Sequence, residues 1–237
     1  MDTKYKAVVF DLFGTLVGDF TRREYDRVNE RMAKLLGIPF DEFWQLVAET
    51  GRRYYEGDYR LFEDNLEDIC RLWGCRPEAN ALEQAARQHY DFLRRAITSS
   101  REVLETLGKL KDMGLKTGLI TDCGAGVPLL WKTSPLSEYI QAPVFSCEVC
   151  ITKPDPAIYR IACLWLGVKP AECIYVGDGS SQELTSAAEV GLLPVLKRTD
   201  LTEVYDGDRP ETVSWNGLII DEISELPDLV SGLERSQ

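Results

Sequence analysis

The alternation of short apolar strand segments with amphipathic helical segments constrains the fold of this chain more than any other feature. Six segments have the length and composition of buried strands: residues 5–11, 115–121, 143–146, 173–178, 193–196 and 218–220. Helical periodicity fills several of the intervals between them, as the spacing of Val103, Leu107 and Leu110 illustrates. Alternating strands and helices predict an α/β fold with a doubly wound, parallel, Rossmann-like sheet.

Residues 17–98 interrupt this alternation. They contain no convincing strand, and their apolar residues recur at helical spacing in four stretches, of which Tyr25, Val28 and Met32 mark the first. We therefore expect two domains. An all-helical domain, residues 17–98, is inserted into a Rossmann-like core formed by residues 1–16 and 99–237.

The charge of the chain restricts its partners. Lys and Arg total 27 against 39 Asp and Glu, which gives a formal net charge of −12. Such a charge repels nucleic acid backbones and anionic membrane surfaces, so a small molecule is the expected partner. An anionic substrate is still possible if a metal ion or a local cation reverses the field in its site. We make no prediction of oligomeric state.

The N-terminal segment and the cysteines predict a cytoplasmic location. Only four apolar residues, 7–10, precede the charged Asp11, which is too short a run for a signal peptide or a membrane span. The seven cysteines are an odd number and fit reduced thiols better than a disulfide framework. Cys147 and Cys150 lack a second cysteine pair of matching spacing, so we expect neither a zinc nor a redox site there.

Four polar segments follow predicted strands or lie in the loops after them. They are residues 11–15, 121–124, 153–156 and 177–183. In open α/β sheets, ligands bind at the carboxyl ends of the strands, so the side chains of these segments are the candidates for a site.

The residue types in these segments suit phosphoryl transfer. A carboxylate such as Asp11 can attack phosphorus and form an aspartyl-phosphate, which divides hydrolysis into two easier steps. Asp178 and Glu183 offer the hard oxygen ligands that Mg²⁺ prefers. Lys153 is a point cation for the nucleophile and the phosphate, and the Thr121 hydroxyl can hold a phosphate oxygen.

These four segments, in this order and spacing, closely resemble the haloacid dehalogenase superfamily, in the subfamily with a helical cap between the first and second motifs. The resemblance covers nearly the whole chain and implies the following roles. Asp11 is the nucleophile, Thr121 and Lys153 are catalytic, and Asp11, Asp178, Glu183 and the Phe13 carbonyl hold Mg²⁺. Gly14, Thr15 and Asp122 lie beside the substrate.

Phe13 departs from the pattern of the family, because most of its phosphatases carry a second Asp there as general acid and base. The family's dehalogenases also place an aromatic residue at that position, but they need no metal and typically lack an acid at the Asp178 position. The acidic pair therefore favours a Mg²⁺-dependent phosphatase acting on a small phosphorylated metabolite. A metal-independent 2-haloacid dehalogenase, a carbon–phosphorus hydrolase using Lys34 and a catalytically silent binding module remain as alternatives.

Several other residues have simpler interpretations. Asp155 before Pro156 predicts a helix N-cap. His89, the only histidine, falls on the apolar stripe of a helix and is expected to pack there. Cys123 is expected to fill a tight turn. Candidates for substrate contacts from the inserted helices are Arg22 and Arg23, the nearest in sequence to Asp11, and then Arg52, Arg53, Tyr54 and Tyr55.

Overall fold

The computed structural model describes residues 4–207 and 209–235, and a parallel sheet forms its centre. The strands are β1 Ala7–Phe10, β2 Lys116–Thr121, β3 Ala142–Phe145, β4 Cys173–Gly177, β5 Leu193–Lys197 and β6 Leu218–Ile220. Their spatial order is β3-β2-β1-β4-β5-β6, and every neighbouring pair is parallel. This arrangement confirms the predicted doubly wound α/β fold.

The strand order reverses at β1, and this reversal places the site. Val9 of β1 pairs with Gly118 of β2 on one side and with Tyr175 of β4 on the other. The carboxyl ends of these three strands therefore meet at one edge of the sheet, where a crevice opens between diverging connections. Asp11 directly follows β1, and Thr121 is the last residue of β2.

Four helices lie between β1 and the rest of the core. They are α1 Arg22–Leu36, α2 Phe40–Tyr55, α3 Phe62–Trp73 and α4 Ala79–Ala96. The Thr21 hydroxyl caps the start of α1 by accepting the Glu24 N–H, and Gly37 in the left-handed conformation ends the helix. The four helices bury their own hydrophobic cluster around residues such as Met32 and Leu66. We call them the helical bundle.

The remaining helices cover the two faces of the sheet. They are α5 Arg101–Asp112, α6 Gly126–Trp131, α7 Ser146–Val149, α8 Pro156–Leu166, α9 Glu183–Val190, α10 Pro210–Ser214 and α11 Leu226–Arg235. Alternate residues of β1 enter opposite hydrophobic clusters, because successive side chains of a strand point to opposite faces. Val8 and Phe10 belong to one cluster, and Ala7 and Val9 to the other.

The polar segment after β5 returns to the helical bundle. The Arg22 N–H donates to the Glu203 carbonyl at 2.8 Å, and the Tyr205 N–H donates to the Phe20 carbonyl at 2.9 Å. The sequence predicts one long loop over residues 197–217, and this is wrong in part because α10 forms within it. Pro210 opens that helix at a position where its missing N–H costs nothing.

No helix in the described part of the chain has both the length and the apolar character needed to cross a membrane.

Candidate active site

A cavity of about 420 Å³ opens at the carboxyl edge of the sheet, beneath the helical bundle. The core contributes Asp11, Thr121 and Lys153 to its wall, and the end of α2 contributes Arg52 and Tyr55. Because the wall combines strand-end residues with residues of the bundle, a ligand bound here contacts both parts of the molecule.

Asp11 and Lys153 form a buried ion pair at the base of the cavity. The Lys153 Nζ donates to Asp11 Oδ1 at 2.6 Å, while Asp11 Oδ2 has no hydrogen-bond partner among the described residues. Burial raises the pKa of Asp11 to about 6, although Lys153 opposes the shift. One carboxylate oxygen is thus held in place by a cation, and the other has its lone pairs available.

Glu183 fixes Lys153 from the opposite side. Its Oε2 accepts hydrogen bonds from the Lys153 Nζ at 2.6 Å and the Tyr175 hydroxyl at 2.7 Å, and its Oε1 accepts the Gly179 N–H at 3.0 Å. A Cβ at Gly177 would overlap the Glu183 carboxylate, which accounts for glycine at the end of β4. Burial alone lowers the pKa of Lys153, but Asp11 and Glu183 outweigh it and hold that pKa well above its usual value.

Asp178 is bound by a second cation, Arg209. The Arg209 guanidinium forms ion pairs with Asp178, Asp19 and Asp206, and only 5% of Arg209 is exposed. The other Asp178 oxygen, Oδ1, accepts the Ser180 N–H at 3.1 Å. Burial raises the pKa of Asp178 well above its usual value, and the nearby carboxylates reinforce the shift against the opposing effect of Arg209.

Three carboxylates come close enough together to share one metal ion. Ligand oxygens of Asp11, Asp178 and Glu183 all lie within 4.8 Å of one another, and all three residues are buried. Within the described residues, no other group of histidine, cysteine and acidic side chains meets this condition. Cys147 and Cys150 are therefore outside any such group.

Gly14 and Thr15 lie behind the cavity, and neither lines it. Gly14 has a φ of +77°, and a Cβ there would overlap the Asp178 carboxylate, so glycine allows the first loop to approach β4. The Gly14 carbonyl accepts the Thr199 hydroxyl at 2.8 Å. Thr15 is 4% exposed and borders a different cavity. The structure therefore places Gly14 against Asp178, whereas Thr15 lies in the wall of that second cavity.

Thr121, Asp122 and Phe13 line the cavity itself. Asp122 Oδ1 accepts the backbone N–H of Lys153 at 3.0 Å, so this carboxylate holds the loop that carries the lysine. The ring of Phe13 packs on Phe20 with ring centroids 4.6 Å apart. An aromatic ring without an acidic proton therefore lies in the cavity wall two residues after Asp11.

The candidate residues on the helices divide into two groups. Arg52 and Tyr55 line the cavity at Asp11, whereas Arg22 borders a neighbouring cavity and donates to the Tyr205 carbonyl at 3.3 Å. Arg23 and Lys34 are exposed on α1 and are absent from the described wall of the Asp11 cavity. The structure thus brings the end of α2, rather than the start of α1, to the strand-end residues.

Asp155 and His89 have the structural roles that the sequence predicts. The Asp155 side chain accepts the Ala157 N–H at 2.8 Å and caps α8, with Pro156 at its first position. His89 is buried and stacks on Phe62 with centroids 3.6 Å apart, and its ring nitrogen Nε2 lies 3.0 Å from the Tyr54 hydroxyl.

Arg209 is the residue that sequence reasoning missed. It lies in the polar segment after β5, far from the four strand-end segments, and the neighbouring chain has no periodicity that fixes its position. The one available signal is that Arg209 directly precedes Pro210, because proline favours the first position of a helix. That pattern predicts a helix start but does not predict a contact with Asp178.

Comparison with known proteins identifies the family. A family model for haloacid dehalogenase-like hydrolases matches residues 5–191. A glyceraldehyde 3-phosphate phosphatase from Methanopyrus kandleri is 30% identical over 241 residues, which cover 97% of this chain and 99% of that protein. The (S)-2-haloacid dehalogenase 4A from Burkholderia cepacia is 27% identical over 209 residues, which cover 78% of this chain and 80% of that protein.

A solved structure agrees with these matches. The crystal structure of a HAD phosphatase from Thermococcus onnurineus superposes with a TM-score of 0.64 and 26% identity, covering 96% of this chain and 98% of that one. The match extends over the sheet and the helical bundle alike. The chain therefore belongs to the haloacid dehalogenase-like hydrolase family.

Proposed function

We propose that this protein is a Mg²⁺-dependent phosphatase that hydrolyses a small phosphorylated metabolite through an aspartyl-phosphate on Asp11. The observation that carries the proposal is the state of the Asp11 carboxylate. Its Oδ1 is held by Lys153, and its Oδ2 is buried and unpartnered among the described residues, beside two further buried carboxylates. Phosphatase names among its relatives support this choice.

The acidic cluster fits a divalent cation. Asp11, Asp178 and Glu183 bring three carboxylates to one buried place, and an unpartnered carboxylate oxygen in a low-dielectric site is costly without a counter-ion. Mg²⁺ would be held by Asp11 and Asp178, with the Phe13 carbonyl as a backbone ligand. Glu183 already accepts three hydrogen bonds, so its role is to orient Lys153 and the neighbouring ligands.

Each residue of the site has a separate role in the proposed reaction. Asp11 attacks phosphorus, and the phosphorus–oxygen bond to the leaving group breaks with its electron pair on the leaving oxygen. Water protonates that oxygen, because the Phe13 ring carries no acidic proton. The phosphoryl group remains on Asp11 until a second water molecule hydrolyses it. Lys153 and the Thr121 hydroxyl offset the charge on the phosphoryl oxygens. Bound Mg²⁺ would supply the additional positive charge that lets two anions approach. Gly14 and Thr15 set the path of the loop, and Asp122 holds the Lys153 loop beside the substrate.

The helical bundle acts as the cap domain in this proposal. Residues 17–98 form it, and residues 1–16 and 99–237 form the core domain. Arg52 and Tyr55 come from the bundle and face Asp11 across the cavity, so closing of the bundle excludes water from the reacting atoms. Arg22 borders the neighbouring cavity and Arg23 is exposed on α1, so we assign neither of them to the phosphoryl group. The protein acts in the cytoplasm.

Hydrolysis of p-nitrophenyl phosphate tests the proposal, because this leaving group needs little protonation and therefore tolerates Phe13. We expect activity with Mg²⁺, loss of activity in EDTA, and a loss of roughly 10⁴-fold or more in Asp11→Asn. Asp155→Asn is the matched control, since asparagine also caps a helix and Asp155 lies outside the cavity. Activity of Asp11→Asn equal to that of the control contradicts the proposal.

A 2-haloacid dehalogenase is the second candidate, favoured by the ring of Phe13 in the cavity wall and by the dehalogenase relative. In that reaction Asp11 attacks carbon, halide leaves, and no metal is required. Chloride release from 2-chloropropionate in EDTA, lost in Asp11→Asn, would establish it in place of the phosphatase.

A further inference from the structure

A second cavity, of about 500 Å³, lies between the helices of the bundle and adjoins the cavity at Asp11. Arg52, Tyr55 and Tyr205 line both cavities, so the two spaces meet at these side chains. Protein cavities that hold small ligands measure about 300–1,000 Å³, so this space alone is large enough for a ring-sized group. We call it the bundle cavity.

Aromatic rings dominate the wall of the bundle cavity. They are the side chains of Tyr25, Trp44, Tyr54, Tyr55, Phe62 and Tyr205. Several of these rings hold each other in place: the centroids of Tyr25 and Tyr205 are 4.5 Å apart, and Trp44 meets Tyr205 edge-on at 5.6 Å. A wall of rigid rings favours a planar aromatic ligand, because offset and edge-on contacts form without ordering flexible side chains.

The charges around the bundle cavity disfavour a cationic ligand. No Asp or Glu is among its described lining residues, although the whole chain carries a net charge of −12. Its two cations already have partners, since the Arg52 Nε donates to Glu56 at 2.9 Å and Arg22 donates to the Tyr205 carbonyl at 3.3 Å. The wall therefore has no carboxylate that would bind a cation, and of its two arginines only Arg52 has an acidic partner among the described residues.

One polar group in the wall contains a buried hydrogen-bond donor that has no partner among the described residues. Asn65 is 4% exposed and lines the bundle cavity. Its amide nitrogen Nδ2 lies near the Tyr59 hydroxyl but makes no hydrogen bond of acceptable geometry among the described residues. A buried donor without a partner is costly, so a ligand that brings an acceptor to Asn65 removes that cost.

We propose that the bundle cavity binds the leaving group of the substrate, and that this group is a planar aromatic or heteroaromatic body that carries no positive charge and has one hydrogen-bond acceptor. This inference rests on the proposed phosphatase function, in which the phosphoryl group lies at Asp11. The aromatic body then passes Arg52 and Tyr55 into the bundle, and its acceptor meets Asn65. The substrate is thus larger than the three-carbon body named for the Methanopyrus kandleri relative.

The first test compares 3-phenylpropyl phosphate with propyl phosphate. Both release a primary alcohol, so the chemical step is matched and only the body differs. We expect kcat/KM to be at least about tenfold larger for the phenylpropyl ester, since a buried ring removes a large apolar area from water. Equal values for the two esters overturn the proposal.

Gly51→Leu blocks the cavity without disturbing the fold. Gly51 lies in α2 and lines the bundle cavity, and a Cβ there meets nothing within 4 Å. For Gly51→Leu we expect kcat/KM for 3-phenylpropyl phosphate to exceed that for propyl phosphate by no more than about threefold. Gly51→Ala is the matched variant, because it also raises helix propensity but adds only a methyl group, and it should keep most of the ratio. An unchanged ratio in Gly51→Leu overturns the proposal.

Asn65→Leu tests whether Asn65 donates a hydrogen bond to an acceptor on the leaving group. For the wild-type protein we expect 3-(4-acetylphenyl)propyl phosphate to exceed 3-phenylpropyl phosphate by about threefold or more in kcat/KM, and for Asn65→Leu we expect no such gain. A gain that persists in Asn65→Leu overturns this part of the assignment.

Binding of 3-phenylpropan-1-ol separates this inference from the phosphatase proposal. Saturation-transfer NMR should detect the alcohol on the wild-type protein and lose the signal in Gly51→Leu, whether or not either ester is hydrolysed. If the alcohol binds in this way and no ester is hydrolysed, the phosphatase proposal fails while the cavity retains its aromatic specificity. If the alcohol does not bind, the aromatic assignment fails.

Discussion

The cavity at Asp11 and the bundle cavity meet at Arg52, Tyr55 and Tyr205, but they are built in opposite ways. The first is surrounded by buried carboxylates and two buried cations, which are joined by ion pairs and hydrogen bonds. The second is surrounded by rings and has no carboxylate among its described lining residues. Charged groups in a buried network depend on one another for charge compensation, whereas packed rings depend on one another through shape.

This contrast predicts how substitutions behave in the two regions. Removing one member of the charged network leaves its partners buried and uncompensated, so the cost exceeds that of the lost contact. Removing or enlarging a group in the aromatic wall changes the shape of the cavity, and the cost is local. The predictions below run from the largest expected effect to the smallest.

Lys153→Met should have the largest effect on stability. The substitution keeps a long side chain but leaves Asp11 and Glu183 without the cation they share. Breaking a buried ion pair in this way costs about 3–5 kcal/mol, which urea unfolding at neutral pH measures. Lys169→Met, at an exposed lysine, is the control. A loss no greater than that of the control would mean that the network is not coupled.

Arg209→Gln should cost about 2–3 kcal/mol of unfolding free energy, because it leaves Asp178 and Asp19 buried without their cation. A double-mutant cycle with Asp19→Asn should give a coupling energy of about 1–3 kcal/mol. The control is Arg198→Gln, whose exposed pair with Asp221 is expected to contribute no more than about 0.5 kcal/mol. Additive effects of Arg209→Gln and Asp19→Asn would show that the two residues act separately.

Gly124→Ala tests the boundary between the two regions. A Cβ at Gly124 would overlap the ring of Tyr54, whose hydroxyl is held 3.0 Å from His89. We expect a loss of about 1–3 kcal/mol, typical of overpacking, and partial recovery when Tyr54→Ala is added. Gly51→Ala serves as the control, since nothing lies within 4 Å of its added Cβ. If Tyr54→Ala gives no recovery, the overlap with the ring is not the cause.

The sheet and the acidic cluster could be predicted from the sequence because each depends on local pattern. The segment at 115–121 is observed as a strand at Lys116–Thr121, and Asp11 comes directly after β1. In a doubly wound sheet, residues that follow neighbouring strands meet at one edge, so topology alone brings Asp11 and Asp178 together.

The cation at Asp178 and the wall of the bundle cavity could not be predicted in this way. Arg209 reaches Asp178 only because the chain after β5 returns to the bundle and pairs Tyr205 with Phe20. Similarly, the helical periodicity of α1 and α2 predicts which side chains face inward but not whether they leave a space between them. Both features depend on the relative placement of elements, which is set by packing across the whole molecule.

His89→Phe should have the smallest effect on the free energy of unfolding. The pH dependence of that free energy distinguishes the aromatic region, which contains His89, from the charged region at Asp11. Burial lowers the pKa of His89 to about 3, from an unfolded value of about 6.5, so the folded protein keeps the ring neutral. Below pH 6.5 the unfolded chain binds a proton that the folded protein does not bind, and stability falls as the pH decreases towards the folded pKa.

Between pH 6.5 and pH 5 this difference lowers the free energy of unfolding by about 2 kcal/mol or less, because one pKa unit corresponds to about 1.4 kcal/mol. Phenylalanine can stack on Phe62 as His89 does but cannot bind a proton, so His89→Phe should lose less stability than the wild type over that range. Urea unfolding of both proteins at pH 7.5, 6.0 and 5.0 measures the difference. Parallel losses would show that His89 is not the source of the acid sensitivity. The carboxylates of the Asp11 cavity cannot supply it either, because their raised pKa values make the folded protein bind protons more readily than the unfolded chain, which stabilises it as the pH falls.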